Sequence, residues 1–128
     1  MAETDTRQFA AEQVDKLLGK LAFQISRTLK SRDPNSVHDL RVSIRRFSQA
    51  LAVHEACFPA KSVKKIRRRL KAMMIPAGAA RDCDIAINLL SKSKLADADG
   101  WRPQFQDQRK QAERALLSVL ARDRKSVV

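Results

Sequence analysis

The stretch DPNSVHDLRVSIRRFSQAL, residues 33–51, decides the fold. Asp33-Pro34 ends whatever precedes it and opens a helix. Asp33 can N-cap with Pro34 at the first helical position, or Ser36 can cap with Asp39 three residues on. Leu40, Ile44, Phe47 and Leu51 then recur at three- and four-residue spacings, with Phe58 as a further candidate, and form one apolar stripe. This helix is expected to run to about Cys57.

On its N-terminal side, Val14, Leu17, Leu18, Leu21, Ile25 and Leu29 make one apolar face of a helix from about Thr6 to Lys30. On its C-terminal side, Pro59 separates a third helix, about 60–90. Its buried stripe starts as Val63, Ile66, Leu70, Met73 and Met74, with Met73 as core and Met74 as flank. Pro76 and Gly78 are expected to interrupt and kink it. The apolar phase then shifts to Ile85, Leu89 and Leu90. Residues 91–102 read as a surface loop. Pro103 opens a fourth helix with Phe105, Ala112, Leu116 and Leu120 on one side. No strand pattern appears. The expected fold is all-α: an antiparallel four-helix bundle with a long, kinked third helix. It spans 5–122 as a single unit, with 123–128 as a C-terminal tail.

The chain has 128 residues, one domain by size, with 26 Lys+Arg against 14 Asp+Glu and a net charge of +12. Such a balance points to an anionic partner. An apolar content of 44% excludes a disordered basic tail. Aromatics at 5%, with no Tyr, count against a module that stacks bases. The acidic, polar start shows no secretory h-region, and no apolar run is long enough to span a membrane. A cytoplasmic protein with two reduced thiols, Cys57 and Cys83, is the expectation. Cys83 reads as a packed thiol, despite Arg81 nearby.

The charge is concentrated. Residues 38–81 carry eleven basic and two acidic side chains, and Lys61 to Lys71 holds seven basic residues without an acid. By helical phase, His38, Arg41 and Arg45 share a stripe opposite the apolar face of the second helix, with Arg46 on its shoulder. Lys61, Lys64, Lys65, Arg68 and Lys71 cluster opposite Val63, Ile66 and Leu70, flanked by Arg67 and Arg69. A charge run is usually a solvated helix face. Such faces mix both signs, as Asp107, Arg109, Lys110 and Glu113 do on the fourth helix. These two stripes do not. Arg binds phosphate through paired hydrogen bonds, which favours phosphoryl oxygens over a diffuse acidic surface.

The segment VHDLRVSIRR, residues 37–46, resembles the signature of the CHAD family, the conserved-histidine α-helical domains. GAARDCDI, residues 78–85, resembles that family's G-x-x-R-D-x-D-hydrophobic block. The two occur in the family's order with a basic helix between them. The resemblance covers about residues 5–122. It implies a helical, basic domain that binds inorganic polyphosphate and associates with polyphosphate granules. It also implies the company of triphosphate hydrolases or other enzymes of polyphosphate metabolism. By position it points to His38, Arg41, Arg45 and Arg46 as ligand-facing, and includes Arg81 with Asp82 nearby. Lys64, Arg68 and Lys71 are added on geometry alone, with Lys61 and Lys65 from the same stripe. Domains of this family typically hold two four-helix units. Either the single unit here suffices or two chains form the pair, and a homodimer that rebuilds it is the expectation.

Other roles are weaker. His38 has no second ligand at metal spacing and reads as a hydrogen-bond donor to phosphate, which predicts tighter binding at mildly acidic pH. His54 is in phase with the core. Arg81 either pairs with Asp84, or another acid, or meets ligand. The D-x-D of Asp82 and Asp84 lacks the third carboxylate and phosphate loop of a Mg²⁺ site and reads as helix anchoring. No metal, cofactor or catalytic arrangement is expected, so the chain reads as a binding module. A nucleic-acid- or ribosome-associated protein is the alternative. An adaptor docking a phosphohydrolase through the fourth helix or Trp101 is a third reading.

Overall fold

The computed structural model describes the backbone over residues 2–93 and 98–127, with side chains over 5–93 and 100–122. Four helices follow one another: α1 (Ala2–Lys30), α2 (Pro34–Val53), α3 (Ala60–Lys92) and α4 (Ala98–Val127). A short 3-10 turn at Glu55–Cys57 joins α2 to α3. No strand occurs among the described residues. Three residues separate α1 from α2, too few for anything but an antiparallel return. Successive helices pack against one another, while α1 and α4 meet over only a short seam.

The start of α2 follows the capping chemistry of its sequence. Asp33 is the N-cap, and its carboxylate accepts the Ser36 backbone N–H at 2.8 Å, with Pro34 in the first turn. That hydrogen bond holds the Asp33 carboxyl below its ordinary pKa, because the donor favours the ionised form. Ser36 is therefore the capped residue and not the cap. Its side of α2 is buried against Thr28 of α1, whose hydroxyl donates to the Gln24 carbonyl at 2.7 Å.

One apolar core joins all four helices. Leu21, Val37, Leu40, Ile44, Phe47, Leu70, Met73, Ala77, Ala80, Ala112, Leu116 and Leu120 form it, with Met74 packed on its edge. The expected stripes of α2 and α4 are thus in place, except that Phe58 and Phe105 are half-buried and lie outside this cluster. Those of α1 and early α3 hold as well, except that Leu18 is 41% exposed.

Three expectations fail in the second half. First, α3 is unbroken from Ala60 to Lys92, with Pro76 inside it. Proline removes one main-chain hydrogen bond to the carbonyl four residues back. That carbonyl belongs to Ala72, an exposed residue, where water can satisfy it. Second, the apolar phase does not shift. The buried stripe continues through Met73, Pro76, Ala77, Ala80 and Cys83, whereas Ile85 and Leu89 are 44% and 64% exposed. Small residues carry the stripe here, and a pattern weighted toward large side chains misses it. Third, α4 begins at Ala98, so Pro103 lies within its second turn and does not open it. The expected loop therefore shrinks, and its residues 94–97 lie outside the described residues.

Candidate anion-binding groove

The sides of α2 and α3 that face each other define a groove. On α2, Asp39 and Ser36 turn toward α1, where Arg27 pairs with Asp39. Pro34, Arg45 and Ser48 line clefts shared with α3, and His38 and Arg41 follow on that flank by helical phase. On α3, Asp84 turns toward α4 and meets Arg109. The stripe Arg67, Lys71, Met74, Gly78, Arg81, Ile85 consequently faces α2.

Two clefts mark the ends of this groove. One, of about 360 Å³, is lined by Ile44, Arg45 and Ser48 of α2 and by Arg67, Leu70, Lys71 and Met74 of α3. Its floor is apolar and its rim is cationic. The other, of about 440 Å³, lies at the start of α2 and is lined by Pro34, Arg81, Asp84, Ile85, Ile87, Asn88, Leu89 and Ser91. Between them Gly78 carries no side chain, and a β-carbon there would meet nothing within 4 Å, so the groove stays open at that level.

The residues expected at the site divide by helix face. Arg45 and Lys71 meet across the first cleft, and Arg81 lines the second. His38 and Arg41 lie between them by phase. His38 is exposed and Arg41 is half-buried. Lys61, Lys64, Lys65 and Arg68 are exposed on the flank and back of α3, and Arg46 is exposed on the far side of α2. They border neither cleft. Arg67, expected only as a flank, lines the groove and pairs with exposed Glu55 at 3.1 Å. The signal that locates it is the direction of α2 from α3, which helical phase on one helix does not contain.

Arg41 has an unusual feature. Its Nε is buried and has no hydrogen-bond partner among the described residues. An orphaned buried donor of this kind costs about 1–3 kcal/mol.

Two acids of this region are committed elsewhere, Asp39 to Arg27 and Asp84 to Arg109, whereas Glu55 pairs with the groove's own Arg67. Asp82 is exposed. The Arg81–Asp84 pair is absent because both Asp84 oxygens are taken by Arg109, at 3.0 and 3.4 Å. Arg109 itself is 11% exposed and contradicts its reading as part of a solvated face. It also bonds Glu113 at 3.3 Å and the Arg32 carbonyl, while Arg32 bonds Glu113 at 2.9 Å. The anchoring expected of the D-x-D thus falls to Asp84.

His54 is not a core residue. It caps the C-terminus of α2, half-buried, with its ring edge-on to Phe9 at 6.0 Å. Cys83 is buried, and desolvation raises its thiol pKa, so it is a packed thiol. No cluster of three or more His, Cys, Asp or Glu that could hold a metal occurs among the described residues. No helix there is long and apolar enough to cross a membrane.

No curated protein and no solved structure matches the chain. The CHAD domain family matches it over residues 12–127, which includes both blocks, most of α1 and the other three helices. Polyphosphate binding is a property of that family, whose domains are generally binding modules. A match over nearly the whole chain makes this protein a member of the CHAD family.

Proposed function

We propose that this protein binds inorganic polyphosphate along the α2–α3 groove without hydrolysing it. The observation that carries the reading is the cleft in which Arg45, Arg67 and Lys71 converge from two helices over an apolar floor. Arg41 extends the row with an unsatisfied Nε, and Arg81 continues it into the second cleft. Successive phosphates of a chain would meet successive cations, and His38 would donate a further hydrogen bond. Lys61, Lys64, Lys65, Arg68 and Arg46 face outward and contribute long-range attraction. Such binding releases condensed counterions, so affinity falls steeply with salt and rises with chain length.

The protein acts in this reading as a scaffold at polyphosphate granules in the cytoplasm, beside an enzyme of polyphosphate metabolism. A second copy supplies a second groove, and the two together present a longer cationic track. Light scattering with and without polyphosphate tests that part. A monomer that binds with undiminished affinity would remove the dimer and leave the groove.

The deciding experiment is competition at physiological salt between long-chain polyphosphate and duplex DNA or RNA of equal charge. Polyphosphate should win at equal phosphate concentration. If nucleic acid displaces it, the chain is a general polyanion or nucleic-acid binder, and the reading fails.

A further inference from the structure

Arg81 and Asp84 stand three residues apart on α3, a spacing at which helical side chains meet. Both line the same cleft beside Pro34. An arginine and an aspartate placed in this way would ordinarily pair. Here Arg109 reaches across from α4 and takes Asp84 instead. Its Nε donates to one carboxylate oxygen and its Nη2 to the other. This two-pronged contact is the strong form of the interaction. Both side chains are 11% exposed, so the pair is held away from water. Arg81 is left with no ion pair and no side-chain hydrogen bond among the described residues. Asp82 is its neighbour in sequence, but adjacent helical residues do not face each other.

We propose that Arg109 is a positioning residue for the anion groove: by occupying both oxygens of Asp84 it keeps Arg81 unneutralised and available to an anion. The proposal rests on the reading of the α2–α3 groove as the polyphosphate site. Arg109 lies on the α4 side of α3, away from that groove. Its effect on binding passes through Asp84. Without it, a poorly exposed carboxylate is left without a cation, and Arg81 is the arginine at pairing distance along the helix. Arg81 turns inward, and the end of the groove loses its charge.

The test uses three variants of the full chain: R109M, D84N/R109M and K110M. Lys110 is exposed, sits next to Arg109 on α4, and removes the same charge. Two quantities are read. The first is polyphosphate affinity at fixed salt. The second, without ligand, is the rate at which phenylglyoxal modifies Arg81, followed by peptide mass spectrometry. In R109M, affinity should fall roughly tenfold and Arg81 modification should slow, as expected for one charged hydrogen-bonding group withdrawn. D84N/R109M should regain both, because no carboxylate remains to capture Arg81. K110M should stay near wild type. Arg81 modified at the wild-type rate in R109M, or a double variant as weak as the single, would overturn the proposal. Far-UV circular dichroism checks folding. If R109M does not fold, R109K keeps the charge but loses the fork, and the same pattern should appear in milder form, with rescue in D84N/R109K. The labelling arm involves no polyphosphate. If wild type fails to bind polyphosphate while the labelling pattern holds, the functional reading fails and the role of Arg109 stands. If wild type binds and labelling does not change, the reverse follows.

Discussion

The arginines of this bundle fall into two regions that composition does not separate. On the α1–α3–α4 side, Arg32 and Arg109 interlock with Asp84, Glu113 and a main-chain carbonyl, and Arg109 is almost removed from water. On the α2–α3 side, Arg45 and Arg81 line open clefts without a carboxylate partner among the described residues, and Arg41 leaves a buried donor unmet. A guanidinium has five donors in a fixed fork and is always charged. In the first region the protein meets that demand itself. In the second, among the described residues, Arg67 alone is paired, with Glu55, and the others are left to water or a ligand. What distinguishes a structural arginine from a binding arginine here is the location of acids on the neighbouring helix.

The largest effect that can break this comparison is on stability. Removing one partner of a buried, hydrogen-bonded pair strands the other, so R109M should lower unfolding stability by about 3 kcal/mol. Arg27 and Asp39 form a pair whose side chains are 38% and 43% exposed. Water and salt screen such a contact, and R27M should cost no more than about 1 kcal/mol. Urea unfolding of both variants checks this. Equal losses would mean that burial does not separate the two kinds of pair.

The next effect is on binding. R45A and K71A should each weaken polyphosphate binding by roughly tenfold, and reduce the slope of log affinity against log salt by about one. Their stability should change by no more than about 0.5 kcal/mol, since neither side chain holds a partner in the fold. R46A removes the same charge from the far side of α2 and should cost clearly less affinity. If R46A matches R45A, total charge governs binding and the groove does not.

The two regions also differ in how far they are legible before folding. The four helices, the stripes of α2 and α4, and the Asp33–Pro34 start are local, and periodicity with capping chemistry is enough to read them. The cationic stripe on α2 is local as well. Three features depend on neighbours. Ala77 and Ala80 continue the core of α3 because α4 packs there, although Ile85 and Leu89 are the more hydrophobic residues nearby. Arg67 belongs to the groove only because α2 lies on its side of α3. Arg109 looks like a surface residue beside Asp107, Lys110 and Glu113, yet its position on α4 faces Asp84 from a helix 25 residues away in sequence. Contacts between helices are a property of the assembled bundle, and one helix at a time does not carry them.

The smallest effect tests the point where the two regions meet. The link between α1 and α2 contains Arg32, whose carbonyl is held by Arg109, and Asp33, which caps the helix that carries His38, Arg41 and Arg45. The Asp33 carboxyl is stabilised in its ionised form chiefly by the Ser36 backbone N–H, and Ser31 adds a side-chain hydrogen bond at 3.1 Å. Its folded pKa therefore lies below the ordinary value of 3.8. The sign follows from linkage. The cap contributes fully at pH values above the unfolded pKa, and the contribution disappears as pH falls through the lower, folded one. D33N keeps an acceptor at the cap but cannot titrate. Stability measured from pH 6 down to pH 3 should therefore fall more steeply for wild type than for D33N. The gap should be absent above the ordinary value of 3.8 and widen as pH falls below it toward the folded pKa. Parallel curves would mean that the turn is held by Arg109 on the Arg32 carbonyl, with the cap contributing little. D33N differs from wild type at the cap alone, so the difference between the two curves, and not the loss itself, reports on the turn.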